Sequence, residues 1–372
     1  TLFRSGQLFG FMSAFVGLIA GFSAPIAAAL KSLIRYLSHF VPAFADDPTL
    51  LGPIHLNDIV AIALCWLLVF IHTRGIKIGL SFNDVITLAK VLGIILIIFA
   101  AFTIGKGDAS NLTHVAPFYA DLSLNDKLSA FATSLIFVSF CYLGWNASAY
   151  MAAEMDEPQK DLPRSLLGGT AIVIVLYLLL NTVYFYGASV ETLAGEVEVG
   201  LISAKNLFGE TGVTLVTIVL SASIFASASA MTVIGPRIYW AFGKDFPPMR
   251  RLAESDPETG APKNALLLQG FVTTIIILSG RIDQIIQYAG FTLTLFASLA
   301  VSCVILLRIR QPELPRPFKT WGYPVTPILF LAVSLWTMIW AIQGRPWESF
   351  LGLATAAIGG ALFYGSKRMS NS

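Results

Sequence analysis

The chain has 372 residues, 56% of them hydrophobic and 12% charged, with a mean hydropathy of +0.74. Soluble domains carry about twice that charge, so the composition excludes a soluble globular protein and points to a bilayer. The net charge of +2 is uninformative as a sum, while Cys65, Cys141 and Cys303 all lie in apolar runs, which excludes a disulfide framework and argues against a metal site.

Taken in order, the apolar runs define ten spans: 8–34, 56–73, 82–105, 128–153, 166–188, 211–240, 264–280, 283–307, 324–343 and 347–366. A helix needs about 20 residues to cross the hydrocarbon. The second span is the weakest, with an uninterrupted apolar core of Ile59–Ile71, and the last is Gly-rich. At the front, Arg4, an apolar run and a small-residue AAAL echo a secretory leader, but the run Leu8–Leu30 is long enough to span. The sequence begins at Thr1 already inside a hydrophobic pattern, so an N-terminal truncation is expected.

Charge alternates with the spans. Of the 24 Lys and Arg, 16 fall at Arg4, in the loops 72–81, 154–165, 237–263 and 308–323, and in the tail, against 5 in the opposite loops. The positive-inside rule then puts both termini in the cytoplasm of a multi-pass cell-membrane protein. The basic loop 244–263 belongs to this pattern and not to nucleic-acid binding.

Three segments carry candidate chemistry. Lys90, in FNDVITLAKVLGIILIIF, is the only charge well inside a span. With a helix start near Ser81 it sits about 13 Å deep. An ionisable residue there exchanges a proton or fills a cation site with its own ammonium, unless its side chain snorkels to the edge. The stretch YLGWNASAY, residues 142–150, turns polar in mid-span. One reading is a broken helix, whose freed carbonyls near Phe140–Tyr142 suit an ammonium, with Asn146 or Ser148 capping the second half. The other is a continuous helix with a small-residue packing face. Finally, Ser221, Ser223, Ser227, Ser229 and Thr232 form a stripe that either lines a pathway or packs closely against a neighbour, and Gly235-Pro236 should kink that helix.

Enzyme signatures are absent. His39, His55, His72 and His114 fall in loops or at span ends without ligand spacing, and no HExxH, GxSxG or phosphate loop occurs. No cofactor is expected.

Four segments together resemble the amino acid–polyamine–organocation permeases, above all bacterial amino acid permeases and the light chains of heteromeric amino acid transporters. GIKIGLSFNDVITLAKVLGI (75–94) is similar to the entry into that family's fifth helix. FVSFCYLGWNASAYMAAEMDEPQKDLPRSL (137–166) is similar to its broken sixth helix and the following loop. GPRIYWAFGKDFPPMRRL (235–252) is similar to the end of its eighth, and LRIRQPELPRPFKTWGYPVTP (307–327) to the loop before its eleventh. The resemblance implies an all-α polytopic membrane protein, a single permease domain over 1–372, with a leucine-transporter-like five-plus-five inverted-repeat fold and alternating access. It numbers the ten spans as family helices three to twelve, lacking the first two.

The resemblance also assigns residues. Phe140 is implied as an aromatic gate, Trp145 and Asn146 as pocket lining, and Cys141, Tyr142, Leu143 and Gly144 as unwound backbone. Phe291 and Thr294 are implied on the far side of the pocket. Lys90 is implied to replace a sodium ion, with Ser227 and Ser229 near it. Glu154 and Arg164 match a cytoplasmic-loop pattern concerned with gating or folding. The loop 38–56 has no cysteine, so no disulfide-linked heavy chain is expected, and the pocket stretches hold no acid, which disfavours cationic substrates. The expected function is secondary transport of neutral L-amino acids, by proton coupling or exchange. The alternative is a non-transporting membrane sensor or assembly protein that kept the fold.

Overall fold

The computed structural model describes residues 6–370, apart from 75, 146, 151, 153, 154 and 197; for 76–84, 120, 147, 150 and 367–370 it describes the backbone alone. Long helices dominate. The first is α1, Gln7–Val16, which widens into a π-helical turn at Gly17–Ser23 and continues as α2, Ala24–Leu37. Pro25, which brings no N–H to the ladder, follows directly on that turn. A short hairpin, Thr49–Leu51 against Ile54–His55, leads into α3, Leu56–Thr73. Then come α4 (Ile76–Thr103), α5 (Leu124–Cys141), the single turn α6 (Ala147–Tyr150) and α7 (Pro158–Gly187). The remainder are α8 (Val199–Asp245), α9 (Lys263–Ser279), α10 (Ile282–Arg310), α11 (Val325–Gly344) and α12 (Pro346–Ser370).

Among the described residues, eight helices are long and apolar enough to cross a membrane, and the 17-residue α9 falls just short. The remaining expected span, 128–153, is the interrupted pair α5–α6. Helical backbone runs on through Gly235-Pro236. The non-helical position within α8 is instead Gly209, at φ +70, just before the expected start of that span.

The helix α2 sits at the centre. Its Ala24, Ala27, Ala28, Leu30 and Ile34 are buried with Ala61, Cys65 and Leu68 of α3, Ala228 of α8, Ile277 of α9 and Ala289 of α10. Small residues let these backbones approach, which is how membrane helices gain contact without a hydrophobic driving force. Lys31 of α2 is drawn into the same junction. Its Nζ donates to Asp58 Oδ1 of α3 at 2.7 Å and to the carbonyls of Ile277 and Gly280, at the end of α9, at 3.0 and 3.1 Å. All three ammonium protons are thus used, the condition under which a partly buried charge is tolerated. At the opposite end Phe11, Phe242, Phe246 and Phe363 join α1, α8 and α12 edge to face. Outward, α4 exposes Val85, Leu88, Leu92, Leu96 and Phe99, a face suited to hydrocarbon.

Candidate functional site

The helix α5 ends where apolar residues give way to Tyr142-Leu143-Gly144-Trp145. The Tyr142 N–H reaches the carbonyls of Val138 and Ser139 at 3.3 and 3.1 Å, and the Leu143 N–H reaches Phe140 O at 3.1 Å. These short-range bonds tighten the last turn and close it. Gly144 then takes φ +99, a region that strains any residue with a Cβ, and helix resumes at Ala147. The chain therefore breaks at this point and does not run on as a continuous packing helix.

The break is held from α7. Tyr177 donates its hydroxyl to the Cys141 carbonyl at 3.2 Å, and its ring meets Tyr142 edge-on at 5.3 Å. Among the described residues, the carbonyls of Val138, Ser139 and Cys141 each accept one bond in this way, while Phe140 O faces the N–H groups of both Tyr142 and Leu143. A carbonyl has two lone pairs, so with respect to the described residues those of Val138, Ser139 and Cys141 keep one for a further donor. No charged side chain lies between Phe137 and Tyr150. Ammonium binding here would draw on the partial negative charge of a helix end, not on a carboxylate.

The expected lining residues divide. Phe140 packs against the α2-centred core, and Gly290 of α10 lies against Ile136 and Phe140, where a Cβ would sit 2.9 Å from Ile136 Cγ2. Trp145 is 49% exposed, and Cys141 and Gly144 are exposed. Phe291 and Thr294 are buried, but the Phe291 ring packs with Ile136, Ala341 and Met338 and lies against Gly352 of α12. The residue of α10 that meets Phe140 is Gly290. Asn146 and Glu154 lie outside the described residues.

The second group lies on α8. Lys90 Nζ of α4 donates to Ser227 Oγ at 3.4 Å, and Ser227 Oγ donates to Ser223 O at 3.0 Å. Ser229 does not join them. Two residues along a helix is more than half a turn, and Ser229 faces α3, where its Oγ lies 3.0 Å from His72 Nε2. His72 is buried inside the end of α3, a contact that its position at a span end did not suggest. The tautomer of His72 decides which partner donates.

Tyr177 is the residue that sequence reasoning missed at the break. Its only signal was polarity in the run LYLLLNTVYF, where Tyr177, Asn181 and Tyr184 interrupt apolar residues. A second concavity, between α4, α7 and α8, is lined by Ile94, Leu180, Val183, Leu207 and Leu220, an apolar wall that offers no described partner to the charged ends of an amino acid. No group of three His, Cys, Asp or Glu occurs among the described residues.

Fold and break together define a class: an all-α polytopic membrane protein organised around an interrupted helix. The profile of a family described as "Amino acid permease" matches residues 2–363, and the chain belongs to that family. It is 26% identical over 317 residues to the serine/threonine exchanger of Bacillus subtilis, covering 84% of this chain and 70% of that protein. It is 24% identical over 300 residues to the human b(0,+)-type amino acid transporter 1, covering 79% of this chain and 59% of the relative. It is 24% identical over 360 residues to the rabbit large neutral amino acids transporter small subunit 2, covering 96% and 65%. These relatives are transporters and not enzymes, and the chain spans between 59% and 70% of their lengths.

Proposed function

We propose that this chain takes part in secondary transport of neutral L-amino acids across the cell membrane by alternating access, with both of its ends cytoplasmic. The observation that carries the reading is the interruption that follows α5 at residues 142–145, with Gly144 at φ +99 and Cys141 O held by Tyr177. Interrupted membrane helices present backbone groups to substrates near the midplane. Here the ammonium of the substrate meets the carbonyl end of α5, and its side chain meets Phe140 and Trp145. The absence of a charged side chain from 137–150 favours a substrate with no net charge, in line with relatives named for serine, threonine and large neutral amino acids.

Coupling is assigned to Lys90 with Ser227. An ammonium hydrogen-bonded to a hydroxyl between two packed helices occupies a cation position and is able to exchange a proton with the cytoplasm as α4 and α8 separate. Exchange of one amino acid for another is the second mode, supported by the relative named an exchanger. The cysteine-free loop 38–56 supports operation without a disulfide-linked partner.

The test is counterflow in liposomes loaded with unlabelled serine, alanine or leucine. Accumulation of labelled substrate against its gradient supports the reading. Binding of amino acids without counterflow would replace it with a sensor.

A further inference from the structure

The connection from α10 to α11, residues 311–324, has no part in the transport reading. Its sequence, QPELPRPFKTWGYP, holds Arg316 and Lys319 against a single acid, Glu313, and directly follows Arg308 and Arg310. These four cations have different tasks. Arg316 folds back on the helix end, where Nη1 donates to the carbonyls of Pro312 and Leu314 and Nη2 to those of Leu307 and Gln311, at 2.8 to 3.2 Å. It caps α10 and neutralises its dipole. The Arg308 guanidinium lies 3.7 Å over the ring of Tyr323. Arg310 and Lys319 are exposed, and neither forms an ion pair with a described carboxylate.

Large apolar side chains stand exposed beside them. Trp321 is 71% exposed and Phe318 45%, with their rings 6.1 Å apart, and Ile309 and Val325 flank them at 72% and 67%. In water such a group is costly. At the end of two membrane helices it meets the zone where aromatic rings settle at headgroup level and basic side chains reach lipid phosphates. The charge selects the occupant, because two unpaired cations beside an apolar wedge complement an anionic headgroup on an acyl surface better than a zwitterionic one.

We propose that residues 308–325 form a binding surface for anionic phospholipid headgroups, with Arg310 and Lys319 as the phosphate ligands and Phe318 and Trp321 seated where the headgroups meet the acyl chains. Each cation should contribute about five-fold in affinity, so the pair contributes about 25-fold. The inference rests on this connection alone and stands or falls separately from transport.

The test uses the whole protein, purified and delipidated, titrated with brominated phosphatidylglycerol or brominated phosphatidylcholine while tryptophan fluorescence is read. Tighter quenching by the phosphatidylglycerol is expected, with that component lost in Trp321→Phe. The double variant Arg310→Gln/Lys319→Gln should weaken it about 25-fold and leave quenching by phosphatidylcholine unchanged. Arg310→Lys, which keeps the charge, should bind as the parent does, and Lys160→Gln, a cation elsewhere that already pairs with Glu157, should change nothing. Equal quenching by both lipids, an unchanged double variant, or displacement by inorganic phosphate as effective as by vesicles would each overturn the proposal. A double variant with a lowered melting temperature is replaced by raising salt on the parent, where loss of the preference is expected and its persistence contradicts the proposal.

Discussion

Tyr177 shows how one hydroxyl can set the shape of a site made of backbone. Its bond to Cys141 O fixes the last free turn of α5, while its ring keeps Tyr142 in place. Tyr177→Phe removes only the bond, worth about 1 kcal/mol. Amide exchange across 141–145 should rise, and uptake should fall about five-fold; unchanged exchange would show that the bond does not hold the break. At Lys90 the expected signature is different. If its ammonium carries the coupling proton, Lys90→Ala should abolish the pH dependence of uptake, and uptake equal to the parent at every pH removes the role. Asp256, in the loop before α9, makes a third case. The Lys263 ammonium and then the N–H and hydroxyl of Thr259 hold its carboxyl well below the usual carboxylate range. A depressed folded value contributes stability above the ordinary aspartate value, lost only as pH falls through the depressed one. Protection of 256–262 from amide exchange should therefore stay constant between about pH 5 and 8, and Asp256→Asn should lower it throughout. Lys90 stood out in the sequence as a charge in an apolar run. Tyr177, Gly290 and His72 did not, because their roles depend on which helix each one meets.

Two glycines separate strain from packing at the level of elements. Gly144 has no described side chain or backbone near its missing Cβ, so against the described residues Gly144→Ala meets only the cost of a positive φ, about 1–2 kcal/mol. The variant should melt only a few degrees below the parent and lose affinity for amino acids; an unchanged affinity would mean that the break does not form the site. Gly235 is the reverse. Helical backbone continues there, but a Cβ would lie 2.1 Å from Gln269 Oε1 and 2.9 Å from Phe22 Cγ, both deep between α8, α9 and the π turn. Gly235→Ala should cost about 1–3 kcal/mol as overpacking and lower the melting temperature in detergent; an unchanged melting temperature would show that Gln269 and Phe22 give way freely. Polarity at Gly144-Trp145-Asn146 was enough to raise the break as one of two readings. Gly235-Pro236 drew attention for its proline, and the structure adds a close contact at Gly235 that depends on neighbours a single helix does not specify. The π turn at Gly17–Ser23 left no trace in the hydropathy, which is the same for a widened turn as for a regular one.

Over the whole molecule, the apolar runs anticipated six of the ten spans to within about four residues at each end, because the bilayer constrains length and composition together. By contrast, α4, α7 and α8 begin 6, 8 and 12 residues before the expected spans at 82, 166 and 211, and the span 128–153 is interrupted. What the runs could not supply was which faces meet. The central place of α2 follows from Ala24, Ala27 and Ala28 packing at once against α3, α9 and α10, while the exposed faces of α4 and α7 are equally apolar in sequence. Ser227 and Ser229 illustrate the same limit, since one stripe divides between two partners on opposite sides of α8. The central claim concerns the break at 142–145, and counterflow tests it most directly. The whole protein in liposomes loaded with unlabelled serine, alanine or leucine should accumulate labelled substrate transiently, and Gly144→Ala and Phe140→Leu, which keeps most of the packed volume, should slow that accumulation without lowering the amount of folded protein. Absence of counterflow from well-folded protein across that panel, or counterflow indifferent to both substitutions, would contradict the account.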